Sequence, residues 1–321
     1  MKNITMKLLL ALAVVLWFPL SLFSQTTLLV RFSGSMLADS AGALPLSHPA
    51  ALALDPDGNL YLADTGNHRI IKSDAQGRLL REAGGFGFGN EQFDRPVDLW
   101  AGNGLDVFVA DYNNQRLQRY DKDLNFISSY SSGDFWEENL RFGYPAAVAL
   151  SPQGELFIAD HEFKRLLRFD AFGKPKASFA DFNWGEGGIE RPAKILISAR
   201  GEIFVSDSMR QAVMIYDAFG NFTGKLGEGL LERPCGLAEW RELIFVADRS
   251  RRRIAGFTRT GDFVAEFGND GTLRGTVALA FASSTRRAEE PAFTARAYVL
   301  DAAQNCVQVF EVTLADDRGS R

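Results

Sequence analysis

The sequence predicts an all-β fold, a six-bladed β-propeller with four antiparallel strands per blade, on three observations. A ten-residue segment recurs along the chain as LYLADTGNHR (60–69), VFVADYNNQR (107–116), LFIADHEFKR (156–165), IFVSDSMRQA (203–212), IFVADRSRRR (244–253) and AYVLDAAQNC (297–306). Its aspartates, Asp64, Asp111, Asp160, Asp207, Asp248 and Asp301, lie 47, 49, 47, 41 and 53 residues apart. That period suits propeller blades rather than helical solenoid repeats. Each repeat also divides into four short runs rich in aromatic and β-branched residues and bounded by Gly, Pro, Asn and Asp, as strands and turns would be.

Taken in order, the chain opens with a segment outside that pattern. Lys2 and Lys7 precede an apolar stretch from Leu8 to Phe23 broken only by Pro19 and Ser21. This is the layout of a secretory signal over residues 1–24, cut near Ser24. The expectation is a secreted or periplasmic protein, without membrane insertion once the signal is removed. TTLLVRFSG (26–34) then resembles the later segment DFVAEFGND (262–270), which falls where a fourth strand is due. The sixth repeat supplies only three strands, near 276–281, 296–300 and 307–312, before the charged tail 316–321. The N-terminal strand is therefore predicted to complete the last blade, giving a propeller over residues 25–315 with joined ends and no open edge.

Within the first full repeat the strands are expected at PAALAL (49–54), NLYLA (59–63), RIIKS (69–73) and RLLRE (78–82), with turns between them. Gly58, Gly77, Gly154, Gly173, Gly201, Gly220 and Gly261 mark hairpin tips that need positive φ. The aromatic column Tyr61, Phe108, Phe157, Phe204, Phe245 and Tyr298 places one large ring on every second strand, sized to fill the space between neighbouring sheets. Burying each ring contributes on the order of 2–3 kcal/mol. A net charge of −5 argues against a nucleic-acid partner, and two cysteines, Cys235 and Cys306, are too few for a disulfide framework.

The strands also carry a family motif. P-x-x-[LIV]-A followed by G-x-[LI]-[YF]-[VIL]-A-D-x-x-N-x-R-[IL], best shown by DPDGNLYLADTGNHRI (55–70) and LDVFVADYNNQRL (105–117), resembles the NHL repeat. The resemblance implies a six-bladed propeller over about residues 26–314. For function it implies several possibilities, since such propellers serve as protein-binding domains, as RNA-binding domains and, in one branch, as a metal-dependent lyase acting on amidated-peptide precursors. The match weakens in the later repeats. Asn67 and Asn114 become Phe163, Arg210, Arg251 and Gln304, and the Arg column of 69, 116, 165 and 253 becomes Ala212 and Cys306.

Function is expected on the top face, where the second-to-third-strand turns and the blade-to-blade connections emerge. Four connections, 33–48, 84–95, 131–144 and 180–191, exceed ordinary hairpin loops and are rich in aromatics. Phe86, Phe88, Phe135, Trp136 and Trp184 are the candidate partner surface, with Phe93, Phe142 and Phe182 in the same loops. The alternative is that these rings fold down over the blade tops. A second column stands before each inner-strand proline, His48, Arg95, Tyr144, Arg191 and Arg233, at the mouth of the central channel. Three guanidiniums there suit a carboxylate, phosphate or sulfate. The competing expectation pairs each Arg with an adjacent turn aspartate such as Asp111 or Asp207. Asp98 and Lys194 put charges in an inner column otherwise made of small residues, so they must be paired or solvated and join the ligand-binding candidates. A wet, polar channel is expected at their level.

Catalytic motifs are absent from the chain: there is no Gly-x-Ser-x-Gly elbow, His-Glu-x-x-His or Walker loop. His48, His68 and His161 all fall on the top face, where a three-histidine zinc site would be lyase-like. His68, however, is replaced in the other repeats by Gln115, Lys164, Gln211, Arg252 and Asn305. The expectation is a non-enzymatic, monomeric recognition scaffold that needs no cofactor and binds a protein or glycan, anionic in character. The alternative is an enzyme at the channel mouth, a lyase or hydrolase using zinc or calcium.

Overall fold

The computed structural model describes residues 27–37, 45–132, 137–283 and 292–315. The predicted signal segment, the tail 316–321, residues 284–291, and Phe135 and Trp136 lie outside these described residues. Six four-stranded antiparallel sheets make up the fold, each formed by consecutive strands except the last. The first blade pairs Ala51–Leu54, Leu60–Asp64, Arg69–Ser73 and Leu79–Gly84 in order. The sixth pairs Thr276–Ser283, Ala292–Asp301 and Cys306–Ala315 and is completed on its outer edge by the N-terminal strand Thr27–Met36. Val30 stands opposite Val312, and a bulge between Phe32 and Gly34 keeps the strand in step. The predicted ring closure is present.

Packing between blades follows the aromatic column. Tyr61, Phe108, Phe157, Phe204, Phe245 and Tyr298 are all buried. Six hydrophobic clusters result, each drawn from two adjoining blades: Tyr61 packs with Phe93, Leu99 and Val109 of the second blade, and Tyr298 with Leu52 and Leu62 of the first. Phe93 and Phe142 leave the top loops for these cores, whereas Phe86, Phe88, Phe182 and Trp184 stay exposed.

The motif aspartates tie each blade to its own entry loop. All six are fully buried. Asp64 accepts the Ser47 amide, Asp111 that of Asp94, Asp160 those of Gly143 and Tyr144, Asp207 those of Glu190 and Arg191, Asp248 those of Glu232 and Arg233, and Asp301 that of Arg274. These bonds fix where the chain enters the inner strand. In blades two to five a proline follows and pairs with the aspartate, as Pro96 does with Asp111, and a bulge comes next. Proline costs nothing at a strand's first position, where its missing N–H is not needed. The result is the same entry into the inner strand in each of these blades.

Candidate functional site

Two rings of residues stand at the channel mouth, and main-chain hydrogen bonds couple them. The first precedes the proline position: Arg95, Tyr144, Arg191, Arg233 and Gly275. The second follows the motif aspartate: Tyr112, His161, Ser208, Arg249 and Ala302. In blades two to six the amide of each second-ring residue donates to the carbonyl of its first-ring partner, at 2.9–3.3 Å. Both rings therefore ride on the strand ends set by the aspartates.

Together they enclose a cavity of about 310 Å³ whose walls include Arg95, Arg191, Arg233, Arg249, Tyr112, His161 and Ser208, over a floor of Val97, Ala146, Ala193 and Cys235. Among the described residues, no carboxylate lines it. The Arg95 guanidinium lies 4.9 Å from the centre of the Tyr112 ring, and Tyr144 packs against the other side of that pair at 5.1 Å from Tyr112. Among the described residues, no carboxylate comes within ion-pair distance of Arg191, Arg233 or Arg249. The alternative of arginine pairing with the turn aspartates does not hold: it is the main-chain amides of Arg191 and Arg233 that Asp207 and Asp248 bind.

The cavity also holds a directional pair. The Tyr112 hydroxyl is 3.3 Å from His161 Nδ1, and His161 Nε2 is 2.7 Å from the Pro192 carbonyl oxygen. A carbonyl only accepts, so Nε2 carries the proton and Nδ1 receives the Tyr112 O–H. Burial lowers the His161 pKa below the usual imidazole value, which keeps the ring neutral near pH 7, and burial raises that of Tyr112. Cys235 beneath has its thiol pushed up to about 11 by burial.

Asp98 and Lys194 meet below this cavity. Lys194 Nζ donates to Asp98 Oδ1 at 2.6 Å and to the Leu99 carbonyl at 3.1 Å, and Asp98 also accepts the Val148 amide. Burial pushes the Asp98 carboxyl up, against the pull of the Lys194 ammonium. Val97 and Ala193, one residue earlier in each strand, line the upper cavity, while Leu99 and Ile195, one residue later, line a second cavity of about 330 Å³. That lower chamber is walled by Leu54, Trp100, Ile197 and Phe281. The ion pair thus lies between the levels of the two chambers, on the side formed by blades two to four. Of the two expected outcomes, pairing or solvation, the structure shows these two charges paired with each other.

The remaining candidates sit apart. His48 is exposed outside the cavity wall, its amide bonded to Asn305 and its ring to Ser47 Oγ. His68 Nδ1 accepts the Arg95 amide, and its ring meets Phe86 edge-on at 5.1 Å. Among the described residues no group of three or more His, Cys, Asp or Glu side chains gathers as a cation site, so the histidines do not fit a three-ligand zinc centre. The His68 position is conformational: His68, Gln115, Lys164, Gln211, Arg252 and Asn305 all adopt left-handed φ of 49–54° at the end of the same turn. Phe86 and Phe88 form one exposed aromatic pair, and Phe182 carries Lys164 at 4.5 Å and Arg210 at 5.6 Å over its ring.

Tyr112, His161, Ser208 and Arg249 were not singled out by the mouth-column reasoning. The signal for them lies beside the most constant residue of the repeat, because the position after the motif Asp runs Thr65, Tyr112, His161, Ser208, Arg249, Ala302.

Fold and mouth define a six-bladed propeller with a basic, two-ringed cavity at the top of the channel. Residues 46–72 match the NHL repeat, and the chain is similar to NHL repeat-containing proteins. It is 31% identical over 144 residues to NHL repeat-containing protein 3 of Mus musculus, covering 43% of this chain and 40% of that protein. It is 24% identical over 158 residues to a probable peptidyl-alpha-hydroxyglycine alpha-amidating lyase of Caenorhabditis elegans, covering 47% and 45%. The chain thus spans less than half the length of these curated relatives. Among solved structures, virginiamycin B lyase from Staphylococcus aureus with quinupristin superposes with a TM-score of 0.58 at 13% identity, covering 90% of this chain and 100% of that one. At that identity the likeness concerns the fold.

Proposed function

We propose that the protein is an extracytoplasmic recognition scaffold that captures a protein or glycan partner by an anionic group seated in the channel mouth. The observation that carries this reading is the cavity itself: four guanidiniums, no lining carboxylate, and no ion pair on Arg191, Arg233 or Arg249 among the described residues. Arginine forks held on strand ends are suited to oxyanions. The exposed rings of Phe86, Phe88, Phe182 and Trp184 supply contact area around the mouth, since aromatic anchors dominate interfaces. The Lys2, Lys7 and Leu8–Phe23 pattern supports the extracytoplasmic placement. The test is a glycan and peptide array probed with the folded chain and with Arg191→Ala. Binding concentrated on acidic ligands and lost in the variant is expected. Silence of the folded chain on both arrays, or binding indifferent to Arg191, overturns the reading.

A second reading is favoured by one observation, the Tyr112–His161 hydrogen bond within the same cavity. An aligned phenol and imidazole beside an anion site are the parts of proton-transfer chemistry, and the amidating lyase and virginiamycin B lyase names attached to similar proteins point the same way. Turnover of a peptidyl-alpha-hydroxyglycine or a streptogramin, lost in Tyr112→Phe with binding retained, would establish an enzyme in place of a scaffold.

A further inference from the structure

The guanidiniums at the mouth exceed what one carboxylate can engage. Arg95, Arg191, Arg233 and Arg249 come from blades two, four and five, so they reach the cavity from three directions. Each offers five N–H donors in a planar fork, whereas a carboxylate presents about four lone-pair sites in a single plane, which one or two forks fill. A tetrahedral oxyanion bound through one ester link instead turns three terminal oxygens outward in three directions, and arginine meets such groups bidentately. Ser208 and Tyr112 share the wall, their hydroxyls directed to the Arg191 carbonyl and to His161 Nδ1, which leaves the guanidiniums as the donors for the anion.

The aspartates beneath the mouth do not compete for these forks. Asp207 is occupied by the amides of Glu190, Arg191, Met209 and Arg210. Asp248 is occupied by those of Glu232, Arg233 and Arg251, with the Arg251 side chain as its nearest cation at 3.8 Å. Below the cavity, Asp98 is bonded to Lys194 and so does not compete for the forks either. A volume of about 310 Å³ lies at the small end for ligand sites. It fits an oxyanion and the first ring attached to it, with the rest of the ligand directed out toward Phe86, Phe182 and Trp184.

We propose that the channel mouth binds a phosphate or sulfate ester, its tetrahedral head held by Arg95, Arg191, Arg233 and Arg249. This rests on the reading of the mouth as an anion site. Isothermal titration in phosphate- and sulfate-free buffer at constant ionic strength, using N-acetylglucosamine 6-phosphate, N-acetylglucosamine 6-sulfate and glucuronate, tests it on the full chain and on Arg191→Ala, Arg233→Ala and Arg191→Lys. At least one ester is expected to bind tenfold or more tighter than glucuronate, and the tighter ester identifies the source. Each alanine variant should weaken it at least tenfold, and Arg191→Lys should recover only part. Thermal unfolding of the unsubstituted chain with each compound repeats the ranking without relying on any variant's fold. Glucuronate binding as tightly as both esters, with the same arginine dependence, overturns the tetrahedral head while leaving the anion site standing. If none of the three binds, or ester binding ignores both alanine variants, the anion site falls as well.

Discussion

Asp64 and Asp160 occupy the same place in their blades and are held differently. Asp64 receives the Ser47 amide on one oxygen and, on the other, Asn67 and the Arg69 guanidinium, both at 2.8 Å. Asp160 receives only the amides of Gly143, Tyr144 and Glu162, because Phe163 stands where Asn67 does and Arg165 turns to the carbonyls of Glu138 and Arg141. Burial then pushes the Asp160 carboxyl up to about 6. Asp64→Asn leaves a buried guanidinium short of its closest anion and should cost about 3 kcal/mol in denaturant unfolding. Asp160→Asn should cost about 1 kcal/mol at pH 7. The sign with pH follows from the raised value: between about pH 4 and 6 the folded chain holds a proton on Asp160 that the unfolded chain has released. Stability from this carboxyl is therefore present at the acid end and lost as pH rises through 6. Asp160→Asn should flatten that part of the stability profile, and equal profiles for variant and parent would refute the assignment. The role of these aspartates was legible because six copies share it. The neighbouring Tyr112, and the pairing of His161 with it, were not, since a residue that varies among copies looks like noise until the fold shows that its position faces the channel.

The strand Thr27–Met36 is the element on which the ring depends. Leu28 and Val30 pack into the cluster shared by blades five and six, Phe32 meets Phe310 at 5.5 Å, and Arg31 pairs with Glu311. Deleting residues 27–36 would expose the whole of Cys306–Ala315 as an unpaired edge. The shortened chain is expected to self-associate at micromolar concentration, which light scattering after size exclusion would register. A stable monomer with an unchanged unfolding midpoint would show that closure contributes nothing. The strand's existence was legible from its likeness to residues 262–270. The ten-residue lengths of Ala292–Asp301 and Cys306–Ala315 were not, because their outer pairs, Ala292 with Ala315 onward, continue past the stretch with clear apolar alternation.

At the scale of the molecule, the Asp98–Lys194 pair lies between the levels of two chambers of one channel. Its partners are 96 residues apart and sit on blades two and four, with the Val148 amide of blade three between them. Sequence exposes each charge as an anomaly in its column, but only the curvature of the ring brings one to the other. Lys194→Met should cost about 3 kcal/mol by stranding Asp98, and Asp98→Asn with Lys194→Met should recover most of that loss. Denaturant unfolding of the single and double variants measures the coupling, and simple additivity would mean that the pair is not formed in solution. The closing strand, finally, has a consequence in time. At ordinary rates of synthesis, some tens of seconds separate residue 36 from residue 306. For that interval the growing molecule is a crescent with a sticky margin at each horn. Whatever shields those horns decides how many chains live to become rings.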